Sequence, residues 1–150
     1  MADERQPRQK LPHPHPTSAA ATASMRSNRS VDTAPEVLVR RELHRHGCRF
    51  RKNYVIAVPG VKARADIVFT RLRLAVFIDG CFWHQCPEHG TMPRANADYW
   101  QPKLDRNVAR DERVTRLLEE SGWRVLRIWE HVPVSEACAL VVEALGERGY

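Results

Sequence analysis

The chain has 150 residues, a net charge of +6 at pH 7 and an isoelectric point near 9.5. This length is enough for one domain with a real core and leaves little room for a second domain. No apolar run approaches the ~20 residues of a membrane-spanning helix, which argues against a membrane protein, and the positive charge favours nucleic acid as a partner.

Residues 1–30 differ in composition from the rest of the chain. They carry four prolines, an Ala/Ser/Thr tract and scattered arginines, with few side chains to bury. We therefore predict a disordered basic arm over 1–30 and one folded domain over 31–150. The four cysteines accompany no export signal, which favours thiols or metal ligands over disulfides and predicts a cytoplasmic protein.

The pattern of apolar and turn residues in 31–150 predicts helices and strands in the order α-β-β-β-α-β-α. This order indicates an α/β fold with a mixed β-sheet flanked by helices. Thr33 and Glu36 have the spacing of a capping box. Trp100, Trp123 and Trp129 are expected in the core. In chain order, the predicted elements are a helix at 34–46, strands at 50–56, 65–69 and 74–78, a helix opened by Pro102 and ending near 121, a strand at 123–129, and a helix capped by Ser135 and ending near 145.

The most informative stretch is 77–89, FIDGCFWHQCPEH, where a buried strand ends. Cys81, Cys86 and His89 have the spacing Cys-x4-Cys-x2-His, close to that by which soft ligands surround a tetrahedral zinc ion. Two histidines compete for the fourth position. We assign it to His131 because a ligand that follows a distant strand would staple the loop to the sheet.

That assignment leaves His84 free as a general acid or base, since histidine titrates near neutral pH. The alternative is a histidine that only packs or orients a neighbour. Phe82 and Trp83 lie beside the metal ligands in a loop and could stack on or wedge between DNA bases. The alternative for one of them is packing beneath the zinc loop.

Carboxylates predict a second metal site. Asp66 begins one strand of the predicted hairpin and Asp79 ends the other, so an antiparallel pairing would bring them together. Oxygen ligands on a rigid strand suit Mg²⁺, which activates water and clamps phosphate. Glu36 on the first helix could reach the same site directly or through water. A carboxylate of this kind, taken alone, is more often a solvated surface group than a metal ligand.

Three ordered motifs, DGCFWHQCPEH, YWQPKLDRNVARD and GWRVLRIWE, resemble the very-short-patch repair endonucleases of the DNA mismatch endonuclease family. The resemblance extends from about Met25 to His131. It implies a core similar to that of type II restriction endonucleases, a structural zinc ion and Mg²⁺-dependent nicking of duplex DNA. The nick is expected beside the thymine of a T:G mismatch that arises from deamination of 5-methylcytosine.

The resemblance also implies roles for individual residues. Asp66 matches the catalytic metal-binding aspartate of the family, His84 its catalytic histidine and Glu36 a glutamate near the metal. Phe82 and Trp83 match aromatic residues that enter the DNA beside the mismatch. The zinc positions of the family correspond to Cys81, Cys86, His89 and His131.

Other matches and departures concern the edges of the site. Met25 matches a residue of the arm that wedges into DNA from the other groove. Asp79 stands where some members have histidine, so it could bind metal or orient water. Ala65 stands where proline is frequent, and a basic segment at 61–64 precedes it.

Lys103, Arg106 and Arg110 on the second helix are candidates for phosphate contacts, with a solvated face balanced by acidic residues such as Asp111 as the alternative. We expect a monomer that acts on double-stranded DNA in the nucleoid, with mismatch-repair proteins as further partners. Two other functions stay open: a restriction-like nuclease without mismatch preference, and a zinc-stabilised DNA-binding module. Paired carboxylates with a free histidine argue against the binding module, because binding alone requires neither.

Overall fold

A computed structural model describes residues 32–90 and 95–146. It confirms the α/β fold and the predicted order of elements, with a mixed four-stranded sheet flanked by helices. The predicted basic arm at 1–30, including Met25, lies outside the described residues. None of the helices within 32–90 and 95–146 has both the length and the apolar character to cross a bilayer. The elements are α1 (Ala34–Arg45), β1 (Arg51–Val58), β2 (Val61–Phe69), β3 (Leu74–Asp79), α2 (Ala97–Glu120), β4 (Arg124–Trp129) and α3 (Val134–Gly146).

The strands lie in the order β1-β2-β3-β4. β1 pairs with β2 and β2 with β3 in antiparallel fashion, so the predicted hairpin is confirmed. β3 and β4 are parallel, with Asp79 opposite Trp129 in the register. Parallel neighbours need a crossover connection, and α2 supplies it. The carboxyl ends of β3 and β4 therefore lie side by side at one end of the sheet, beside the start of α2.

The sheet has a core on each face. One core joins α1 and α3 to the sheet and includes the fully buried Leu43, Val76 and Val141. The other joins α2 to the sheet through Leu118 and Ala65. Truncating a buried leucine such as Leu43 to alanine typically costs about 2–5 kcal/mol of stability. The two cores fix α1 and α2 on opposite faces, so each can present side chains to the same sheet edge.

Three predicted details were wrong. α2 begins at Ala97, so Pro102 is its sixth residue and lies inside the helix instead of opening it. α3 begins at Val134, so Ser135 lies inside the helix and does not cap it. The apolar run at 123–129 predicts a buried strand, but β4 is an edge strand in which only Ile128 is buried.

Asp66 lies inside β2 instead of at its start, because β2 extends back to Val61. The alternation of faces shifts there: Ala65 contributes to the core beneath α2, whereas Ile67, two residues on, contributes to the core beneath α1 and α3. Asn53 on the neighbouring strand adopts a positive φ of 48° at the same level. A local irregularity of this kind changes the face of the sheet to which a side chain points.

Candidate active site and metal centre

His84 lies in the turn after β3 and is held by a carboxylate. Its Nδ1 contacts Oδ2 of Asp111 on α2 and lies 3.9 Å from Oδ1 of Asp79. Burial lowers the pKa of the imidazole, but the hydrogen bond to Asp111 and the two negative charges outweigh it, so the pKa is raised overall. A histidine held at Nδ1 keeps Nε2 available to transfer a proton.

The sequence interpretation missed Asp111, which it placed on a solvated helix face. Asp111 lies seven residues after Leu104 and seven before Leu118, both of which are fully buried. Residues seven apart share a helix face, so this spacing could have indicated that Asp111 faces the sheet. Asp111 is the residue that joins α2 to the candidate catalytic histidine.

Asp66 lies in a cluster of carboxylates. Its Oδ2 accepts a 2.7 Å hydrogen bond from the N–H of Ile78. Burial raises the pKa of Asp66, and the charges of Glu36 and Asp79 raise it further, to about 7, against the lowering effect of the Ile78 N–H. Mutual repulsion of this kind is relieved by a cation, and carboxylate oxygens are the ligands that Mg²⁺ prefers. The donor set fits the predicted Mg²⁺ site.

Glu36 reaches this cluster from the first turn of α1. Its side chain is buried, and its Oε2 accepts a hydrogen bond from the N–H of Thr33 at 3.3 Å, the return half of the predicted capping box. Nη1 of Arg40 lies 3.7 Å from the same oxygen, and Nη2 of Arg40 donates to Asp32. Glu36 is thus fixed near Asp66 by the helix end and an ion pair.

Asp79 also lies in this cluster of carboxylates, but its carboxylate forms an ion pair with an arginine. Nη1 of Arg127 on β4 lies 3.0 Å from both carboxylate oxygens of Asp79, which is buried. The sequence interpretation left Asp79 with a metal-binding or water-orienting role and assigned nothing to Arg127. Arg127 interrupts the apolar run VLRIW of a predicted strand. A charged side chain in such a run indicates that a group of opposite charge lies beside the strand.

The four predicted zinc ligands come together across the loop after β3. Nδ1 of His131 lies 3.2 Å from Sγ of Cys81 and 3.6 Å from Sγ of Cys86, and Nδ1 of His89 lies 4.0 Å from Sγ of Cys86. One ligand atom from each of the four residues lies within 4.8 Å of the others. This spacing and the two-thiol, two-imidazole donor set fit a tetrahedral zinc ion. His84 belongs to a different group, as predicted for a residue outside the zinc site.

The two thiols differ in their electrostatic environment. Burial raises the pKa of the Cys81 thiol. Burial also acts to raise the pKa of Cys86, but the backbone N–H groups of Glu88 and His89 lower it overall. A thiolate is the form that binds zinc, so the backbone around Cys86 favours the ligand state.

Phe82 and Trp83 are less exposed than the sequence predicted. Both rings contact Trp100 edge-on, with centroids 5.6 and 5.7 Å away, and the two rings contact each other at 5.0 Å. Trp100 is buried, as expected, yet it supports this aromatic cluster at the mouth of the site. Both rings remain partly exposed, so their edges are accessible beside His84.

The cations on α2 fall into two kinds. The ammonium of Lys103 lies 5.6 Å from the Trp83 ring centre, 5.4 Å from that of Trp100 and 5.6 Å from that of Tyr99. It therefore interacts with the aromatic cluster instead of extending freely into solvent. Arg106 and Arg110 are exposed along the same helix and stay candidates for phosphate contacts.

Comparison with known proteins agrees with this geometry. Residues 16–88 match the family described as DNA mismatch endonuclease Vsr. The chain is 48% identical over 134 residues to the type II nicking enzyme V.NaeI of Lentzea aerocolonigenes, covering 89% of this chain and 81% of that protein. It is 44% identical over 108 residues to the type II nicking enzyme V.XorIIP of Xanthomonas oryzae, covering 71% and 76% of the two chains.

A third relative is the DNA mismatch endonuclease Vsr of Escherichia coli, 36% identical over 139 residues that cover 87% of this chain and 81% of that protein. Such identity over most of both chains is far above what a shared fold alone requires. It confirms the resemblance that the three sequence motifs indicated. The chain therefore belongs to the Vsr family of DNA mismatch endonucleases.

Proposed function

We propose that the protein nicks one strand of duplex DNA beside the thymine of a T:G mismatch left by deamination of 5-methylcytosine, with Mg²⁺ as catalytic cation and zinc as structural ion. One observation carries the proposal: Phe82 and Trp83 directly precede His84 in the same turn. Rings that can open a base stack are thereby adjacent to a histidine that can transfer a proton. A nuclease of this family needs a divalent metal, and the carboxylates around Asp66 offer a fitting site.

The chemistry divides among the residues of the site. Asp66 would hold the metal, with Glu36 assisting directly or through water. Mg²⁺ bound there supplies charge for the phosphate and acidifies water. His84, oriented through Nδ1 by Asp111, presents Nε2 to move a proton to or from water or the leaving oxygen. Asp79 remains bound to Arg127 and keeps that cation beside the histidine.

The aromatic cluster accounts for mismatch preference. A T:G pair stacks less well than a matched pair, so opening the helix beside it costs less free energy. Phe82 and Trp83, supported from behind by Trp100, form a rigid edge that can enter the opened step. Lys103 lies over the rings of Trp83 and Trp100 and can neutralise nearby phosphate. We expect the Met25 region of the arm to contribute from the opposite groove.

Zinc has a structural role in this proposal. Cys81, Cys86 and His89 belong to the turn that carries His84, whereas His131 follows β4 at the adjacent sheet edge. An ion held by all four would fix the turn against the sheet. The positions of His84, Phe82 and Trp83 relative to the ends of β3 and β4 would then be fixed.

A second candidate function is strand nicking without mismatch preference. Two of the relatives are named type II nicking enzymes, a name that specifies strand nicking and no mismatch. A DNA-binding module without catalysis is less well supported, since binding requires neither the carboxylates around Asp66 nor the His84–Asp111 pair.

The deciding experiment uses the purified zinc-loaded protein with Mg²⁺ on end-labelled duplexes that differ only in one T:G or T:A pair. Products are separated on a denaturing gel. We expect one cut, in the thymine strand of the mismatched duplex. Equal cutting of both duplexes supports nicking without mismatch preference, and binding without cutting in Mg²⁺ or Mn²⁺ supports the binding module.

A further inference from the structure

Arg127 has a partner for every nitrogen of its guanidinium. Nη1 lies 3.0 Å from both carboxylate oxygens of Asp79 and 3.7 Å from Oδ1 of Asp111. Nε donates to Oγ1 of Thr115 at 2.8 Å, and Nη2 lies 3.4 Å from the carbonyl oxygen of Asp111. The guanidinium carbon lies 4.4 Å from the centre of the Phe77 ring. Contacts from β3 and α2 therefore fix this side chain of β4.

The guanidinium lies among groups that would otherwise repel one another. One ligand atom each from Asp79, His84 and Asp111 lies within 4.8 Å of the others, a spacing that also suits a metal ion. Two carboxylates at this separation need a positive charge nearby. Arginine keeps its charge at every physiological pH, so it supplies that charge without exchange with solvent.

We propose that Arg127 is a positioning residue for phosphodiester cleavage. Its guanidinium is a resident cation that holds Asp79 and Asp111 around the His84 ring, in the place that a second metal ion could otherwise take. Asp79 is then reserved for Arg127, and the exchangeable metal ion binds at Asp66. This inference rests on the endonuclease activity of the proposed function but not on its T:G preference.

The first test counts bound metal without any reaction. Binding of Mn²⁺ to the zinc-loaded full-length protein is measured by electron paramagnetic resonance in three forms: wild type, Asp79→Asn and Asp66→Asn. We expect Asp79→Asn to bind as many Mn²⁺ ions as wild type and Asp66→Asn to bind fewer. Loss of Mn²⁺ from Asp79→Asn overturns the inference, because Asp79 would then be a metal ligand.

The second test separates rate from affinity under single-turnover conditions, with enzyme in saturating excess over the DNA. Arg127→Gln should slow nicking roughly 10- to 100-fold, as expected when a catalytic group is misplaced, while DNA affinity stays within about twofold. Arg127→Lys should restore part of the rate because it keeps the charge. Arg116→Gln is the control, since it removes one positive charge from an exposed ion pair with Glu120.

Folding must be separated from positioning, because Arg127→Gln leaves Asp79 without a counter-charge. The double variant Asp79→Asn/Arg127→Gln removes both charges and should stay folded by circular dichroism and keep its zinc. We expect it to remain slow. Wild-type rates in this folded double variant overturn the inference, as does an Arg127→Gln effect confined to DNA affinity.

All variants are compared with wild type on both the matched and the T:G duplex. If the wild-type protein cuts the two duplexes equally, the proposed mismatch preference is contradicted. The nicking rate of each variant relative to wild type can still be measured on either duplex. Equal rates of Arg127→Gln and wild type on the same duplex contradict the role of Arg127.

Discussion

Oδ2 of Asp66 accepts a 2.7 Å hydrogen bond from the N–H of Ile78, the residue that precedes Asp79 on the neighbouring strand. This bond crosses from β2 to β3 and holds Asp66 beside a second carboxylate. The single N–H does not offset burial and the repulsion from Glu36 and Asp79, so the pKa of Asp66 rises to about 7. The protein without its divalent metal therefore carries an electrostatic penalty at this position.

The first prediction concerns stability and pH. A carboxyl group whose pKa is raised on folding binds more protons in the folded state, so its contribution to the unfolding free energy falls as pH rises from about 4 to about 7. Without Mg²⁺, Asp66→Asn should remove this decline. Urea unfolding of zinc-loaded protein at pH 5 and 7.5 measures it. At pH 7.5, Mg²⁺ should raise the unfolding free energy of wild type but not that of Asp66→Asn. If the unfolding free energies of the two proteins change in parallel with pH, the prediction is wrong.

The same variant tests catalysis. Asp66→Asn should abolish nicking in Mg²⁺ because an amide cannot replace a carboxylate at a divalent cation, while binding of T:G duplex persists or strengthens as a negative charge near phosphate is lost. Nicking is read on a denaturing gel and binding by fluorescence anisotropy. Glu143→Gln, which neutralises an exposed carboxylate on α3, is the control. Retained nicking by Asp66→Asn would show that the metal binds elsewhere.

The third prediction concerns the pair of His84 and Asp111. His84→Ala should slow nicking about 10²- to 10⁴-fold with zinc content unchanged, because a positioned acid or base contributes roughly that much. Asp111→Asn keeps the shape but removes the charge that raises the pKa of His84. The limb of the pH–rate profile that reports His84 should move to lower pH. Loss of zinc from His84→Ala together with retained activity in the folded fraction would assign His84 to the zinc site and exclude His131.

The fourth prediction concerns zinc. The wild-type protein should contain about one zinc ion per chain, and Cys81→Ser or His131→Ala should lose it and lower the unfolding temperature, because metal binding contributes to folding. Elemental analysis and thermal unfolding measure both effects. Cys48→Ser is the matched control for zinc content, since Cys48 is a buried thiol in the core under α1. Soluble, active wild-type protein that contains no zinc contradicts the prediction.

The fifth prediction concerns mismatch recognition. Trp83→Ala should narrow the preference for T:G over matched duplex, with a loss on the order of 1–3 kcal/mol for one stacked base. Because Trp83 packs on Trp100, the variant is also checked by urea unfolding, and Trp123→Phe serves as the control far from the turn. Full discrimination by a folded Trp83→Ala protein would make Trp83 a packing residue.

The amino-acid sequence was enough to predict the order of the elements and the four residues that come together as candidate zinc ligands. Apolar periodicity and turn residues are local, so they predicted every helix and strand of the described chain, and the Cys-x4-Cys-x2-His spacing is a local requirement of a tetrahedral ion. Asp66 and Asp79 were brought together correctly because antiparallel pairing follows from a short turn. The start of α2 was misplaced at Pro102 because proline favours the first turn of a helix, whereas here it is the sixth residue.

The surroundings of those residues follow from how the elements pack, which the sequence did not reveal. Asp111 and Arg127 come from α2 and β4, distant in sequence from His84, and they reach it through the crossover that makes β3 and β4 parallel. Their charges balance one another inside the site. The sequence indicates at most that each residue faces the sheet, and it does not indicate which partner each one meets. Burial and charge pairing depend on which elements pack together, and that is a property of the whole fold.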